Sequence, residues 1–324
     1  MTDARWMAAA VALSERGRAR TATNPNVGCL IVKDGRVIGR GWTQDGGRPH
    51  AEAMALAAAG LAANGATAYV TLEPCAHISA RGPSCADSLI DAGIAHLYVA
   101  IQDPDPRTNG EGIRRIREAG ITVTTESLEA EARRAMAGWL MQQENGRPFI
   151  TLKLATSLDG CIALANGESR WITGPAARAH GHLERARSNL ILVGRGTFDA
   201  DTPSLDVRLP GLEACSPDKL LLTSGQAPLG WTALPCPQEV HMLSDAQYLL
   251  IEGGAAAAAA FVKADLVDRL LLHRAPILLG GGKSALADTG LDQLSGAHGQ
   301  WQRSNTRQLG SDMLEVYERV RETV

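Results

Sequence analysis

The stretch Arg48-Pro49-His50-Ala51-Glu52, followed by Thr71-Leu72-Glu73-Pro74-Cys75 and then by Cys85, decides how the first half of the chain is read. It offers one imidazole and two thiols to a metal, with a carboxylate two residues after the imidazole. Three protein ligands leave the fourth corner of a tetrahedral zinc open, which separates a catalytic site from a structural one. Zinc held in this way lowers the pKa of its water to about 7, so hydroxide is available at neutral pH. Glu52 need not be a ligand and is free to move protons.

The surroundings fit that chemistry. Residues 51–63 read as an Ala-rich helix opened by His50, and residues 67–72 as a buried strand that carries Glu73-Pro74-Cys75 to its end. Cys75 and Cys85 both read as helix starts, where a thiol is drawn toward the thiolate that zinc needs. H-x-E followed by Pro-Cys and a second Cys is the signature of zinc-dependent nucleobase deaminases, although residues 76–84 separate these cysteines by more than C-x-x-C. Two other readings stand beside it: a closed four-ligand zinc site completed by His77, and buried cysteines with no metal. Neither accounts for an acid placed two residues after a ligand.

At 324 residues the chain is long enough for two domains. Hydrophobic residues at 45% and charged residues at 21% place it among ordinary globular proteins. A formal net charge of −3 argues against a binder of nucleic-acid phosphates, which carries a basic face, and favours a small substrate. Six irregularly spaced cysteines do not form a disulfide framework, and a reducing cytoplasm fits them best. Charged residues interrupt residues 1–20, which read neither as a signal peptide nor as a membrane span.

Residues 2–18 predict a packing helix, and Asp34-Gly35 between the β-rich runs 27–33 and 36–42 predicts a hairpin. Helices then follow at 84–91, 109–118 and 128–143, with strands at 97–101 and 121–124. Alternating strands and helices imply a mostly parallel sheet covered on both faces, with ligands bound at the carboxyl ends of the strands. Asn145-Gly146-Arg147-Pro148 breaks the pattern. The expected domains are 1–145 and 146–324.

The second half predicts strands at 149–156, 190–193, 219–223, 248–251, 266–272 and 313–317, a helix at 175–187, and a polar loop from residue 194 to Arg208. Gly253-Gly254, Gly194-Arg195-Gly196-Thr197 and Gly280-Gly281-Gly282-Lys283-Ser284 are turns whose amides can receive phosphate. G-x-G-x-x-G is absent, and Ile277 stands where a P-loop needs its first glycine, which speaks against ATP. Lys153, Ser169, Trp171, Arg185, Thr197, Asp201, Ser204, Arg208 and Glu252 cluster around those turns in sequence, where arginines suit phosphate. Composition leaves open which of them are simply solvated.

Across both halves the chain resembles the bifunctional riboflavin-biosynthesis deaminase/reductase family. The strings that carry the likeness are Asn24-Pro25-Asn26-Val27-Gly28, Pro49-His50-Ala51-Glu52, Leu72-Glu73-Pro74-Cys75-Ala76-His77, Pro83-Ser84-Cys85-Ala86 and Gln102-Asp103-Pro104-Asp105-Pro106 in the first half. In the second they are Arg147-Pro148-Phe149, Lys153-Leu154-Ala155-Thr156-Ser157-Leu158-Asp159-Gly160, Gly167-Glu168-Ser169-Arg170-Trp171-Ile172-Thr173, Asp201-Thr202-Pro203-Ser204-Leu205 and Glu252-Gly253-Gly254.

The resemblance implies an α/β protein with a cytidine-deaminase-like three-layer α/β/α domain, then a dihydrofolate-reductase-like α/β domain, which explains the missing Rossmann motif. It implies zinc and NADPH as cofactors and a small phosphoribosyl-aminopyrimidine as substrate, with no nucleic acid or membrane partner; self-association is left open. By the family pattern His50, Cys75 and Cys85 hold zinc and Glu52 shuttles protons, while Asn24, His77 and Asp103 seat the pyrimidine or its phosphate. Ser169, Arg185, Leu205, Arg208 and Glu252 match substrate positions. Ala155, Trp171, Thr197, Asp201, Ser224, Gly253 and Gly254 match NADPH positions, and Lys153 lies near the reacting sugar.

The chain departs from the family at three single positions, in one extra residue between the two zinc cysteines, and over residues 219–229, which match poorly and make Ser224 a weak carry-over. Thr43 stands where His is usual, Asp105 where Asn is usual, and Cys161 where a basic residue is usual. On this reading Asp105 repels a substrate phosphate. Two rivals remain: a deaminase of nucleic-acid bases with an unrelated second domain, which would need a basic groove, and a decayed deaminase kept as a binding module.

Overall fold

The computed structural model describes residues 2–77 and 82–321. They fall into two units, Met1–Gly146 and Arg147–Val324. The first contains α1 (Thr2–Ser14), β1 (Gly28–Lys33), β2 (Arg36–Trp42), α2 (Ala51–Ala59), β3 (Thr67–Leu72), α3 (Cys85–Asp91), β4 (His96–Ile101), α4 (Glu111–Glu118), β5 (Thr122–Thr124), α5 (Glu129–Ala135) and α6 (Ala137–Asn145). Asp34 and Gly35 both take positive φ, and Lys33 pairs with Arg36, so the Asp-Gly dipeptide makes the hairpin it predicts.

The five strands run in the order β2-β1-β3-β4-β5. β1 pairs antiparallel with both β2 and β3, while β3, β4 and β5 run parallel, so the sheet is more mixed than alternation alone implies. Helix α1 touches α5, while α2, α3 and α4 touch in succession, giving helical layers on both faces. The core of Cys29, Ile31, Val70, Leu97 and Val99 is fully buried. Glycine allows the helices to press close: a Cβ on Gly28 would lie 2.0 Å from the Ala10 carbonyl oxygen, and one on Gly41 would lie 2.2 Å from that of Ala51. The second contact clamps the start of α2, and with it His50 and Glu52, against β2.

One helix was expected over 128–143, yet two are present. The side chain of Asn26 donates to the Ala135 carbonyl at 3.0 Å, and Met136 leaves helical geometry with its side chain fully buried. This tertiary contact falls at the end of α5, where an inserted side chain is one of the recognised causes of a helix break.

The second unit contains β6 (Phe149–Thr156), β7 (Cys161–Ala163), α7 (Pro175–Ala186), β8 (Leu190–Gly194), α8 (Arg195–Asp201), β9 (Asp218–Leu222), β10 (Thr232–Leu234), β11 (Tyr248–Ile251), α9 (Ala255–Lys263), β12 (Arg269–Arg274), β13 (Lys283–Ser284), β14 (Trp301–Leu309) and β15 (Asp312–Arg319). Its large sheet has the order β10-β9-β8-β11-β6-β12-β15-β14, parallel as far as β12 and antiparallel through β15 and β14. β13 and β7 form a separate ribbon. At the entrance to this unit Arg147 grips Asp268 through two hydrogen bonds of 2.7 and 2.8 Å, and Asp268 also accepts the Ile150 amide, tying the starts of β6 and β12 together.

Five elements were not expected from the sequence: the short strands β7, β10 and β13, and the longer α8 and β14. The expected loop after Gly194 opens with α8, none of whose residues is buried, so no apolar face announces it. β14 is an edge strand exposed along almost its whole length and carries no alternation of apolar and polar residues. Among the described residues no helix is long and apolar enough to cross a membrane.

Candidate functional sites

In the first unit, His50 caps the start of α2, which places Glu52 in the first turn. Cys85 is the first residue of α3, whose cap Ser84 accepts the Asp87 amide. Cys75 does not open a helix, as had been expected; it lies in the loop after β3, and the amide of Cys85 donates to its sulfur at 3.4 Å. One helix start therefore serves both thiols. Nδ1 of His50 lies 3.3 Å from the Cys85 sulfur and 3.7 Å from that of Cys75.

Those distances test the fit to zinc. With Zn–N near 2.0 Å and Zn–S near 2.3 Å, tetrahedral geometry puts nitrogen and sulfur about 3.6 Å apart. The observed spacings match ligands that share one ion. Among the described residues His50, Cys75 and Cys85 form a cluster of three, with ligand atoms within 4.8 Å of one another, and His77 is not part of it. The closed site completed by His77 is thus absent from the geometry.

The electrostatics are those of a thiolate nest. Hydrogen bonding from Cys85 brings the Cys75 thiol down to about 4 against the effect of burial, while its bond to Cys75 drives Cys85 well up. Hydrogen bonding to Cys75 also raises His50. A divalent cation would displace the protons that these groups share. Burial pushes Glu52 up to about 7, reinforced by the neighbouring Cys75.

Around this cluster Asp103 is buried and raised to about 6 by that burial. His77 has a buried Nδ1 with no hydrogen-bond partner among the described residues. Asn24 packs against Gly47, where a Cβ would lie 2.1 Å from its amide nitrogen. Thr43 is buried and accepts the Val27 amide at 2.9 Å, a purely internal contact. Asp105 is held below the usual carboxylate range by its hydrogen bonds from Arg107, so the expected repulsion of a phosphate is offset by a cation already paired with it.

In the second unit a cavity of about 1260 Å³ opens at the carboxyl ends of β6, β8 and β11. Lys153, Ala155, Ser169, Trp171, Arg185, Thr197, Asp201, Leu205, Arg208, Glu252, Gly253 and Gly254 all line it. Ser224 does not; it sits exposed beyond β9. Glu252 is the centre of charge. Arg185 grips it through two hydrogen bonds of 2.7 and 3.0 Å, and Lys153 Nζ lies 3.6 Å away. Burial alone would raise Glu252, but Lys153 and Arg185 prevail and bring it to about 2.

The turn after β8 and the turn after β11 meet where the Gly254 amide donates to Thr197 Oγ1 at 2.9 Å. Gly254 caps α9, so helix amides open onto the cavity. Trp171 is 70% exposed, with the Arg178 guanidinium 4.7 Å from its ring centre. Arg195 also lines the cavity and donates to the Gln226 carbonyl at 2.8 Å. Sequence reading had named Arg195 and Lys283 only as parts of glycine turns, and missed His182 altogether. The i, i+3 spacing of His182 and Arg185 was the available signal.

Comparison with known proteins agrees with both halves. The profile for the cytidine and deoxycytidylate deaminase zinc-binding region matches residues 1–101, and that for the RibD C-terminal domain matches residues 148–229 and 233–314. The riboflavin biosynthesis protein RibD of Escherichia coli K12 is 38% identical, over 97% of this chain and 98% of that protein. The chain belongs to the RibD family. Its members in the comparison include RibD of Mycobacterium tuberculosis, 37% identical over 95% of both chains. Among solved structures, Acinetobacter baumannii RibD superposes with a TM-score of 0.87 at 35% identity over 99% of both chains. The deaminase/reductase of Thermotoga maritima superposes with a TM-score of 0.88 at 29% identity, covering 98% of this chain and 99% of that one. As a RibD protein the chain is a bifunctional enzyme of riboflavin biosynthesis, a cytidine-deaminase-like α/β/α domain joined to a RibD C-terminal α/β domain that carries the reductase.

Proposed function

We propose that the chain performs two successive steps on one small molecule: zinc-dependent deamination of diaminohydroxyphosphoribosylaminopyrimidine, then NADPH-dependent reduction of 5-amino-6-(5-phosphoribosylamino)uracil, the activities named for the Thermotoga protein. The observation that carries this is the pairing, in one chain, of a three-ligand cluster beside a buried Glu52 with a cavity built on Lys153, Glu252 and Arg185. An acidic balance and six free cysteines favour a small substrate in the cytoplasm over nucleic acid.

His50, Cys75 and Cys85 hold the zinc, which supplies an activated water when bound. Glu52 takes a proton from the attacking water at its carboxylate and gives it to a ring nitrogen; it then takes the second proton, left on the attacking oxygen, and passes it to the departing amine, which leaves as ammonia. Its burial keeps that proton out of bulk water. Asn24, His77 and Asp103 seat the substrate; His77 Nδ1 is buried and has no hydrogen-bond partner among the described residues.

In the reductase, NADPH supplies hydride to the opened ribosyl carbon. Lys153 delivers the matching proton to the sugar oxygen, while Glu252 orients Lys153 and Arg185. Ser169, Leu205 and Arg208 hold substrate; Ala155, Trp171, Thr197, Asp201 and the turn at Gly253-Gly254 hold the cofactor, with Arg195 a cation for its phosphates. Incubation with substrate and NADPH, with products resolved by mass, tests the proposal. One amine should become one oxygen, followed by a gain of two hydrogens; a zinc-loaded protein that releases no ammonia defeats the first step.

A further inference from the structure

Glu73 belongs to no set of residues expected to touch zinc or substrate, yet it joins the two sides of the deaminase site. Its side chain is 2% exposed. Oε2 accepts the amides of Asp103 at 3.2 Å and Gly110 at 2.9 Å, and Oε1 accepts that of Ile113 at 3.1 Å. Gly110 is the cap of α4 and has no side chain with which to bond the helix amides. The carboxylate of a residue far away in sequence does so instead, at the positive end of the helix. Gly112 permits the approach: a Cβ there would lie 2.0 Å from the Pro74 carbonyl oxygen and 3.3 Å from Glu73 Oε1. The Glu73 amide in turn donates to Ile101 at the end of β4 at 2.8 Å.

We propose that Glu73 is a positioning residue that locks the metal loop 73–77 to the substrate-side segment 103–110, so that Cys75 and Asp103 hold a fixed separation. This rests on the reading of Asp103 as a substrate contact given above. A carboxylate held by three amides in the interior is rigid, because each of those donors would be left unsatisfied if it moved.

The test uses the full-length, zinc-loaded chain and two variants. Glu73→Gln keeps the volume but replaces one acceptor oxygen with a donor, and Glu73→Ala removes both acceptors. Amide hydrogen exchange at Asp103, Gly110 and Ile113 is measured without substrate, together with zinc content. Ammonia release then gives KM and kcat, with reduction of the deaminated substrate as a control that the chain is folded. Exchange at the three amides should quicken by about tenfold or more, the worth of a hydrogen bond to a charged group. Zinc should stay bound, and KM should rise more than kcat falls.

Should Glu73→Ala lose its fold, Glu73→Gln decides. Unchanged exchange in that variant overturns the locking role, as does faster exchange with an unaltered KM. Loss of zinc with intact reductase activity also overturns it, making Glu73 a support of the metal loop alone. Wild-type protein that releases no ammonia would defeat the proposed reaction while leaving the exchange result to stand or fall separately.

Discussion

Lys153 Nζ faces Glu252 Oε2 at 3.6 Å from neighbouring parallel strands, since β6 and β11 pair in register up to Leu152 and Ile251, the residues just before them. The same carboxylate is forked by Arg185 from α7. One buried anion thus aligns two cations supplied by different elements, and a substrate that enters the cavity meets them already oriented.

Lys153→Met should therefore lower reductase turnover by about 10²–10⁴-fold, the usual contribution of a positioned proton donor. Ammonia release should be untouched. NADPH oxidation and ammonia assays on the same preparation check this, and a variant with near-normal reduction would remove Lys153 from the chemistry.

Glu52→Gln should retain zinc by metal analysis but lose ammonia release by about 10²–10⁴-fold. The amide fills the same buried space and cannot carry the proton between water, ring nitrogen and amine. Substantial turnover in this variant would assign proton transfer to another group.

Gly41→Ala tests how the metal site is mounted. Its Cβ would lie 2.2 Å from the Ala51 carbonyl, so α2 must move and carry His50 with it. Overpacking of this kind costs about 1–3 kcal/mol. The expected outcome is lower stability of the first unit and weaker zinc retention under chelator challenge, with the reductase unaffected; a zinc affinity equal to wild type would show that α2 yields without disturbing its ligand.

Behind Lys153, His273 is fully buried, with Nε2 3.0 Å from His180 Nδ1. Burial, assisted by Lys153, lowers His273 to about 3, and burial also lowers His180. Glu184 and Arg269 face the same pair. Because the folded value lies below the ordinary one, near 6.5, the unfolded chain binds more protons between about pH 3 and 6.5. Stability of the second unit should accordingly be full above about pH 6.5 and fall as the pH drops through that window. Denaturant melts at stepped pH should show His273→Phe flattening that fall; an unchanged slope would mean that the histidine pair does not govern acid unfolding.

Much of the candidate metal site was legible because its chemistry is local. His50 and Glu52 share one helix turn, and Cys75 directly follows Glu73-Pro74 at the end of a strand, so short strings carried both the ligand types and their setting. Strands with uniform burial, such as β1, β3 and β11, were readable for the same reason. α8 and β14 left no such mark, because neither buries an apolar face. The break at Met136 depended on Asn26, a residue more than a hundred positions earlier.

By itself the sequence determined the candidate donor set, the hairpin and those strands and helices that bury an apolar face, since these follow from side-chain chemistry and from periodicity over a few residues. Only the tertiary structure decided that Cys75 draws on the helix start of Cys85 and that Glu73 holds the amides of α4. Each of these contacts joins segments brought together by strand order and helix packing, and no spacing along the chain encodes which buried polar group will find which partner.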